Sequence, residues 1–167
     1  YSLSDDDEGR FSIDPNSGVV TTAVSLDREV DGATRQIVIS ASDGITTASA
    51  PFTVSILPVN EHDPVIISGG GGNTASISVS ETITSVTNVV AIDADLPAEA
   101  ITYSITGGED AANFNINPTS GLLEFNIAPD FEAPVDIGSD NVYTVEVTAS
   151  DVDGRTDSQV LSITVDD

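Results

Sequence analysis

The sequence predicts an all-β protein made of tandem β-sandwich domains, and three observations lead to this prediction. Apolar and polar residues alternate with a period of two along several runs, as they do in half-buried strands. Turn-forming residues separate these runs, and no stretch has a convincing helical period. Short motifs recur in the same order 103–109 residues apart, which indicates two copies of one domain.

Six runs are predicted to be strands because valine, isoleucine and threonine dominate them. They cover residues 36–41, 52–56, 75–79, 86–92, 143–147 and 161–165. Tyr103, Phe114, Phe125 and Tyr143 lie in strand-like sequence, so we expect them in the core. The glycine run 69–72 lacks the Gly-Lys-Ser/Thr ending of a phosphate-binding loop, and it is predicted to be a flexible turn.

The repeated motifs divide the chain into one partial and one complete domain. The matches are 11–18 with 114–121, 27–29 with 130–132, and 41–43 with 149–151. The joint is expected near residues 59–64, so that residues 1–60 form a partial repeat and residues 61–167 a complete one. Two strand-like runs at the start of the second repeat have no counterpart in the first. We therefore expect both ends of the chain to be cut from a longer array.

The composition excludes several classes of protein. The chain has 28 acidic and 4 basic residues, and its formal net charge of −24 argues against binding to nucleic acid or to anionic membranes. It has no cysteine, which rules out disulfides, thiolate catalysis and zinc–thiolate sites. No apolar run approaches the roughly 18 residues of a membrane-spanning helix. Carboxylates at this density repel one another, so the folded chain needs high salt, basic partners or bound cations.

Acidic and amide residues recur beside the predicted joint, either at strand ends or in the linker. They are Asp27, Glu29, Asn60, Glu61, Asp93, Asp95 and Asp151. Because strand ends at one pole of a sandwich converge in space, we expect these oxygens to gather around the linker. A cluster of hard oxygen ligands without a histidine or thiol cage suits Ca²⁺, which accepts six to eight oxygens in flexible geometry.

These residues also carry a resemblance to a known family, which extends over essentially the whole chain. The motifs are Leu26-Asp27-Arg28-Glu29, Asp93-Ala94-Asp95, Ala149-Ser150-Asp151, the linker Val59-Asn60-Glu61-His62-Asp63-Pro64, and the octapeptide at 11–18. In this order they resemble the LDRE, DxD, A-x-D, DxNDNxP and F-x-I-D-x-x-T-G elements of cadherins. The composition is most similar to that of cadherin-like repeats in large bacterial surface proteins.

The resemblance implies tandem seven-stranded Greek-key sandwiches, the first lacking its opening strands, with Ca²⁺ rigidifying each interdomain joint. It implies ligands on the repeat-1 side from Asp27, Glu29 and Glu61, and a bridging Asp95. On the repeat-2 side it implies Asn60, the His62 carbonyl, Asp93, Asp95 and Asp151, with a loop carbonyl near Ala98. Glu81, Asp130, Glu132 and Asp167 would serve the next joint, and Asp43 the preceding one. Pro58, Glu61 and His62 depart from the linker pattern.

The function implied is that of a calcium-binding structural and adhesive segment of an extracellular or cell-surface protein, without catalysis. Its expected partners are neighbouring repeats and other copies, through strand donation or homophilic contact. The alternative is a carbohydrate-binding module of a surface polysaccharide-binding or polysaccharide-degrading protein, with glycans as partners. The sole histidine, His62, has no serine or cysteine in a nucleophile motif to serve as catalytic base.

Overall fold

The computed structural model describes all 167 residues, and it confirms the predicted all-β architecture. Fourteen strands are accompanied by one four-residue helix and two 3₁₀ turns. The chain divides into two compact units. Unit 1 comprises Tyr1–Val59 together with Asp95–Pro97, and unit 2 comprises Asn60–Ala94 together with Ala98–Asp167.

Unit 1 contains five strands and the helix. They are β1 (Ser2–Asp5), β2 (Phe11–Ile13), β3 (Val20–Thr22), α1 (Arg28–Asp31), β4 (Thr34–Ser42) and β5 (Thr47–Ser55). An antiparallel sheet has the order β1-β4-β5, and β2 pairs with β3 in a separate antiparallel ladder. The helix was not predicted, because a single turn is too short to produce a helical period. It begins after the N-cap Asp27 and ends at Asp31, before the C-cap Gly32.

Unit 2 contains nine strand segments and both 3₁₀ turns. They are β6 (Val65–Ile66), the turn Ser68–Gly70, β7 (Thr74–Ser80), β8 (Ser85–Asn88), β9 (Ala91–Ile92), β10 (Thr102–Gly107), the turn Ala111–Asn113, β11 (Phe114–Ile116), β12 (Leu122–Phe125), β13 (Val142–Ser150) and β14 (Thr156–Asp166). One sheet has the order β10-β13-β14-β7, a second has the order β11-β12-β8, and β6 pairs with β9. Only the β14–β7 ladder is parallel.

The nine segments correspond to seven strands, because two of the strands are interrupted. The run predicted as one strand over 86–92 is divided between β8, which pairs with β12, and β9, which pairs with β6. The chain changes sheets at Val89, whose N–H donates to the Gly121 carbonyl (2.9 Å), and at Val90, whose carbonyl accepts from Ile67 (2.8 Å). Residue periodicity does not reveal such a change of partner, since both halves remain extended.

The first strand of unit 2 is interrupted at the glycine run. All four glycines at 69–72 have positive φ, a conformation that other residues rarely adopt, so the predicted turn is confirmed. The turn is tied to the neighbouring strand by Gln159, which is 1% exposed. Its Nε2 donates to the carbonyls of Ser68 (3.3 Å) and Gly72 (2.8 Å). This side chain fixes the position at which the chain passes from β6 to β7.

The core of unit 2 is built around the predicted aromatic residues. Phe114, Phe125 and Tyr143 are buried, and the ring centroids of Phe125 and Tyr143 lie 5.1 Å apart in an edge-on arrangement. Tyr103 is also buried, and its hydroxyl accepts a hydrogen bond from the Ala91 amide (3.0 Å). Each such side chain stabilises the fold by about 1.5–3 kcal/mol through burial alone. The core prediction for these four residues is confirmed.

Each unit contains its own ladder of hydroxyl groups, and the two ladders occupy equivalent positions on corresponding strands. In unit 1 the ladder crosses β1, β4 and β5, and in unit 2 it crosses β10, β13 and β14. The contacts are Ser4–Ser40 (3.2 Å), Ser40–Ser49 (2.7 Å), Thr106–Thr148 (2.7 Å) and Thr148–Ser158 (2.7 Å). These cross-strand pairs show that the repetition in sequence corresponds to a repetition in structure.

Gly121 is the glycine at which an added Cβ would come closest to another atom. Its φ is +74°, and a Cβ would lie 2.1 Å from the Val89 carbonyl oxygen. We expect Gly121→Ala to lower the free energy of unfolding by about 3 kcal/mol, combining left-handed strain with a backbone clash. Gly154→Ala is the control, since Gly154 has φ +88° but a Cβ there would meet no other atom within 4 Å. Equal losses in denaturant titrations would contradict the steric argument.

The repeated octapeptide forms the same turn in both units, but only one copy can titrate. Asp14 Oδ1 accepts from the amides of Asn16 (2.9 Å) and Ser17 (2.7 Å). Asn117 Oδ1 makes the equivalent bonds to Thr119 and Ser120, each 3.0 Å long. The backbone hydrogen bond from Ser17 is the main reason that the pKa of Asp14 lies below its usual value.

We therefore expect unit 1 to lose stability in acid through Asp14. Its pKa is lower in the folded chain, so its contribution is complete above the unfolded pKa of about 3.9 and is lost as the pH falls through the folded pKa. Asp14→Asn should make the thermal midpoint of unit 1 less dependent on pH below about 4. Asn117→Asp is the converse variant and should add that dependence to unit 2. Parallel pH profiles for parent and variants would refute this account.

Candidate metal-binding sites

Three carboxylates meet at one position in unit 2. Glu81 directly follows β7, and Asp130 and Glu132 lie in the loop after β12. Each offers an oxygen atom, and these atoms lie within 4.8 Å of one another. Glu81 is half-buried and the other two are exposed. The structure thus brings together three of the four residues that the sequence analysis assigned to the next joint.

Backbone hydrogen bonds hold two of these three carboxylates in place, those of Glu81 and Asp130. Glu81 Oε2 accepts from the Phe131 amide (3.0 Å). Asp130 Oδ1 accepts from the amides of Glu132 and Ala133, both at 3.1 Å. Because these bonds use one oxygen of Glu81 and one of Asp130, the second oxygen of each of these two carboxylates is left for another ligand. Three negative groups at this separation repel one another, and a divalent cation would reverse the sign of that interaction.

The matching turn of unit 1 is organised in the same way. Asp27 is the N-cap of α1, and its Oδ1 accepts from the amides of Glu29 (2.9 Å) and Val30 (3.0 Å). The Asp27 amide in turn donates to Asp31 Oδ2 (2.9 Å). This hydrogen bond is the main reason that the pKa of Asp31 lies below its usual value. The position of the Asp27 carboxylate is therefore set by the backbone of its own turn.

Two arginines support the turn in unit 1. Asp31 Oδ1 lies 3.1 Å from Arg10 Nε and 2.8 Å from Arg35 Nη2. A third arginine, Arg28, donates to the Ile56 carbonyl. Two of the four basic side chains in the protein thus contact Asp31 at the end of α1, and a third, Arg28, is part of α1. Their charge stabilises the carboxylate that holds Asp27.

Glu29 has one satisfied and one unsatisfied oxygen. Its Oε1 accepts from the Leu96 amide (2.9 Å), which lies in the 95–97 segment of unit 1. Its Oε2 is buried and has no hydrogen-bond partner. Burying a carboxylate oxygen without a donor is unfavourable, whereas coordination of a cation would compensate for it. Asp95, in the same segment, is 2% exposed.

Asp151 closes the turn between β13 and β14 in unit 2. Its Oδ1 accepts from the amides of Asp153 (3.0 Å) and Arg155 (2.8 Å), and its Oδ2 accepts from Asn60 Nδ2 (2.9 Å). Burial raises the pKa of Asp151, but the hydrogen bonds from Asn60 and the backbone outweigh it, so the pKa lies below its usual value. The side chain is therefore held in its charged form.

Asn60 links Asp151 to a residue that the sequence analysis missed. Its Nδ2 also donates to Glu99 Oε2 (3.2 Å), while its Oδ1 is buried without a hydrogen-bond partner. The prediction named a loop carbonyl near Ala98 and did not consider the Glu99 side chain. The only available signal was a carboxylate four residues after Asp95, which is weak in so acidic a chain. Asp93, half-buried after β9, belongs to the same unit.

The remaining predicted ligands lie on the surface. Glu61 and His62 are exposed in the segment before Pro64, and Asp167 is exposed after β14. Asp43 Oδ1 accepts from the amides of Ile45 (2.9 Å) and Thr46 (2.7 Å), which makes it the turn-closing counterpart of Asp151. Their roles as metal ligands stay predictions. The donor set is composed of carboxylate and amide oxygens, which fits Ca²⁺ rather than a softer metal.

Comparison with known proteins identifies the family. The family model described as "Cadherin domain" matches residues 75–166, and the chain belongs to the cadherin family. Protein dachsous of Drosophila melanogaster is 34% identical over 131 residues, which cover 74% of this chain and 4% of that protein. Protocadherin Fat 1 of Homo sapiens is 31% identical over 174 residues, covering 100% of this chain and 4% of that protein. The chain thus spans about 4% of the length of these relatives.

A solved structure supports the same conclusion. The crystal structure of mouse cadherin-23 EC22-24 superposes with a TM-score of 0.77 at 25% identity, covering 99% of this chain and 52% of that chain. The predicted tandem sandwich fold, with counterparts of the last five strands in unit 1, is confirmed. The chain is a segment of cadherin type, located outside the cell or at its surface. No helix has the length and apolar character needed to cross a membrane.

Asp151 supports the hairpin even without metal, which allows its structural role to be measured separately. We expect Asp151→Ala to lower the thermal midpoint of unit 2 by roughly 5–10 °C in chelator, because the amides of Asp153 and Arg155 lose their acceptor. Asp151→Asn keeps an acceptor oxygen and should lose less. Asp153→Ala is the control, since its side chain is exposed. Calorimetric scans in which all three variants melt together would contradict this role.

Proposed function

We propose that this chain is a calcium-stabilised structural and adhesive segment of a multi-repeat surface protein. In this proposal residues 1–60 are part of one cadherin repeat and residues 61–167 are a complete one. Calcium ions at the interdomain joint neutralise the clustered carboxylates and rigidify the array. The segment has no catalytic role. The observation that carries the proposal is the cluster of Glu81, Asp130 and Glu132, whose oxygens lie within 4.8 Å of one another.

The unsatisfied oxygens support the proposal independently of that cluster. Glu29 Oε2 and Asn60 Oδ1 are both buried without a hydrogen-bond donor. Both residues belong to motifs that match the cadherin pattern, one in the LDRE-like turn and the other in the linker. An oxygen that is buried without a donor is a suitable ligand for a cation, because coordination replaces the hydrogen bonds lost on leaving water.

The proposed ligands divide into three sets. The joint between the repeats uses Asp27, Glu29, Asn60, Glu61, the His62 carbonyl, Asp93, Asp95 and Asp151. The next joint uses Glu81, Asp130, Glu132 and Asp167, and the preceding joint uses Asp43. When bound, Ca²⁺ supplies positive charge and a coordination shell that accepts these oxygens without strict geometry. The chain's own contribution is to orient them, through the backbone hydrogen bonds described above.

The calcium joints and the exposed sheet edge of unit 1 suggest two kinds of partner. Neighbouring repeats are the first, because calcium ligands at a joint must come from both sides. Other copies are the second, through homophilic contact or strand donation. β5 pairs only with β4, and Phe52 on β5 is 49% exposed, whereas the corresponding β14 also pairs with β7. An added parallel strand would cover this edge. Glycan binding and a bacterial origin stay predictions.

Calcium removal is the direct test of the proposal. We expect chelator to lower the thermal midpoint and to broaden the distribution of interdomain angles seen by small-angle scattering, while circular dichroism keeps its β signal. Binding only to the folded state adds about 2.7 kcal/mol of stability at a hundredfold excess over Kd. The core should survive, since buried residues such as Tyr143 and Leu161 are held by packing and not by metal.

Asp95→Ala is the most informative single variant, because this buried carboxylate is the one proposed to bridge ions. We expect it to reduce calcium affinity more than any other single ligand change, as measured by calorimetric titration. Asp153→Ala removes an exposed carboxylate of the β13–β14 turn and should bind calcium like the parent. Unchanged affinity in Asp95→Ala, or identical scattering in calcium and in chelator, would overturn the interdomain calcium site.

A further inference from the structure

We propose that Glu99 is a positioning residue, which orients the carboxamide of Asn60 so that its Oδ1 faces a bound cation. The inference rests on the proposed calcium function and extends it to a side chain outside the motifs. Glu99 lies in unit 2, in the loop between β9 and β10, and it is half-buried. Its Oε2 accepts a hydrogen bond from Asn60 Nδ2 at 3.2 Å.

The orientation of the Asn60 carboxamide follows from the chemistry of its neighbours. Nδ2 donates to Asp151 Oδ2 (2.9 Å) as well as to Glu99 Oε2 (3.2 Å). Ionised carboxylates only accept hydrogen bonds, so both N–H groups are used and neither can be replaced by the amide oxygen. A flipped carboxamide would place Oδ1 against two negatively charged oxygens. The hydrogen-bond network therefore determines the orientation.

The consequence is an oxygen turned away from both carboxylates. Asn60 Oδ1 is buried and accepts no hydrogen bond within the protein. Leaving a buried amide oxygen without a hydrogen bond is unfavourable, so this orientation would be disfavoured if nothing else bound there. A hard cation that takes amide and carboxylate oxygens satisfies Oδ1 directly. Asn60 then offers its oxygen to the metal while its nitrogen is held from behind.

Asp151 without Glu99 would hold the Asn60 carboxamide in this orientation only weakly. Its Oδ1 already accepts from the amides of Asp153 and Arg155, and its Oδ2 can engage only one of the two N–H groups of Asn60. A single bond also allows the carboxamide to turn about its own axis. The second acceptor, Glu99, occupies the other N–H and removes that freedom. Glu99 therefore acts on the metal through Asn60, as residues behind a metal ligand commonly do.

Two substitutions at Glu99 separate orientation from charge. Glu99→Ala removes the acceptor, and we expect it to raise the calcium Kd of this site roughly tenfold, as loss of a residue behind a metal ligand commonly does. Glu99→Gln keeps an acceptor oxygen but removes the charge, so its Kd should stay within about threefold of the parent. The backbone amide signals of Asp153 and Arg155, which bind the Asp151 carboxylate, report this site specifically in NMR titrations. Glu109→Gln, at an exposed glutamate elsewhere in unit 2, is the charge control.

A double-mutant cycle with Asn60→Asp supplies the decisive readout. A carboxylate at position 60 presents an oxygen in either orientation, so it needs no partner to direct it. In the Asn60→Asp background, Glu99→Ala should no longer weaken calcium binding. If the two residues acted independently, Glu99→Ala would raise the calcium Kd by the same factor in both backgrounds. Thermal unfolding in chelator checks that each variant is folded, and Glu99→Gln provides an isosteric variant if Glu99→Ala is not.

The outcomes separate this inference from the function on which it rests. If the parent titrates without calcium-dependent shifts, the proposed function fails and the inference fails with it. If the parent binds but Glu99→Ala binds equally well, only the inference fails. If Glu99→Gln loses as much affinity as Glu99→Ala, or the loss persists with Asn60→Asp, Glu99 acts by charge or direct ligation and the positioning role is refuted.

Discussion

Twenty-eight carboxylates share this chain with four arginines, so most of the negative charge has no basic side chain to pair with. The fold meets this constraint with backbone amides. Asp14, Asp27, Asp43, Asp130 and Asp151 each accept two N–H groups from the turn that follows them. The backbone hydrogen bonds from Ser17 and Thr46 are the main reason that the pKa values of Asp14 and Asp43 lie below their usual range. The same carboxylates thus build the turns and keep their charge for a cation.

Both units hold their acidic turns with backbone amides, but the side chains around these turns differ. Asp43 and Asp151 close corresponding hairpins, but Asp43 is exposed while Asp151 is buried and also bound by Asn60. The acidic turn of unit 1 is supported by Arg10 and Arg35 through Asp31, whereas the turn of unit 2 is supported by Glu81 through the Phe131 amide. Local backbone geometry is therefore the shared feature, and the supporting side chains are free to vary.

Sequence reasoning succeeded where the signal is local or repeated. Alternation located the long strands, aromatic residues located the core, and recurring motifs located the acidic turns. It failed where a residue's role depends on its spatial partner. The division of the 86–92 run reflects pairing of β8 with β12 and of β9 with β6, which periodicity cannot encode. Glu99 acquires its role only because Asn60, 39 residues earlier, lies beside it.

The backbone next to Glu81 is strained in the conformation that positions this carboxylate. Thr82 has φ +65°, an unfavourable conformation for a β-branched residue that costs on the order of 1–3 kcal/mol. It is held on both sides, since Glu81 N–H donates to the Asp166 carbonyl (2.8 Å) and Thr82 N–H donates to the Pro129 carbonyl (3.0 Å). Those bonds fix where β7 ends and bring Glu81 beside Asp130 and Glu132. The strain and the repulsion thus occur at the same place, and a cation bound there would offset both.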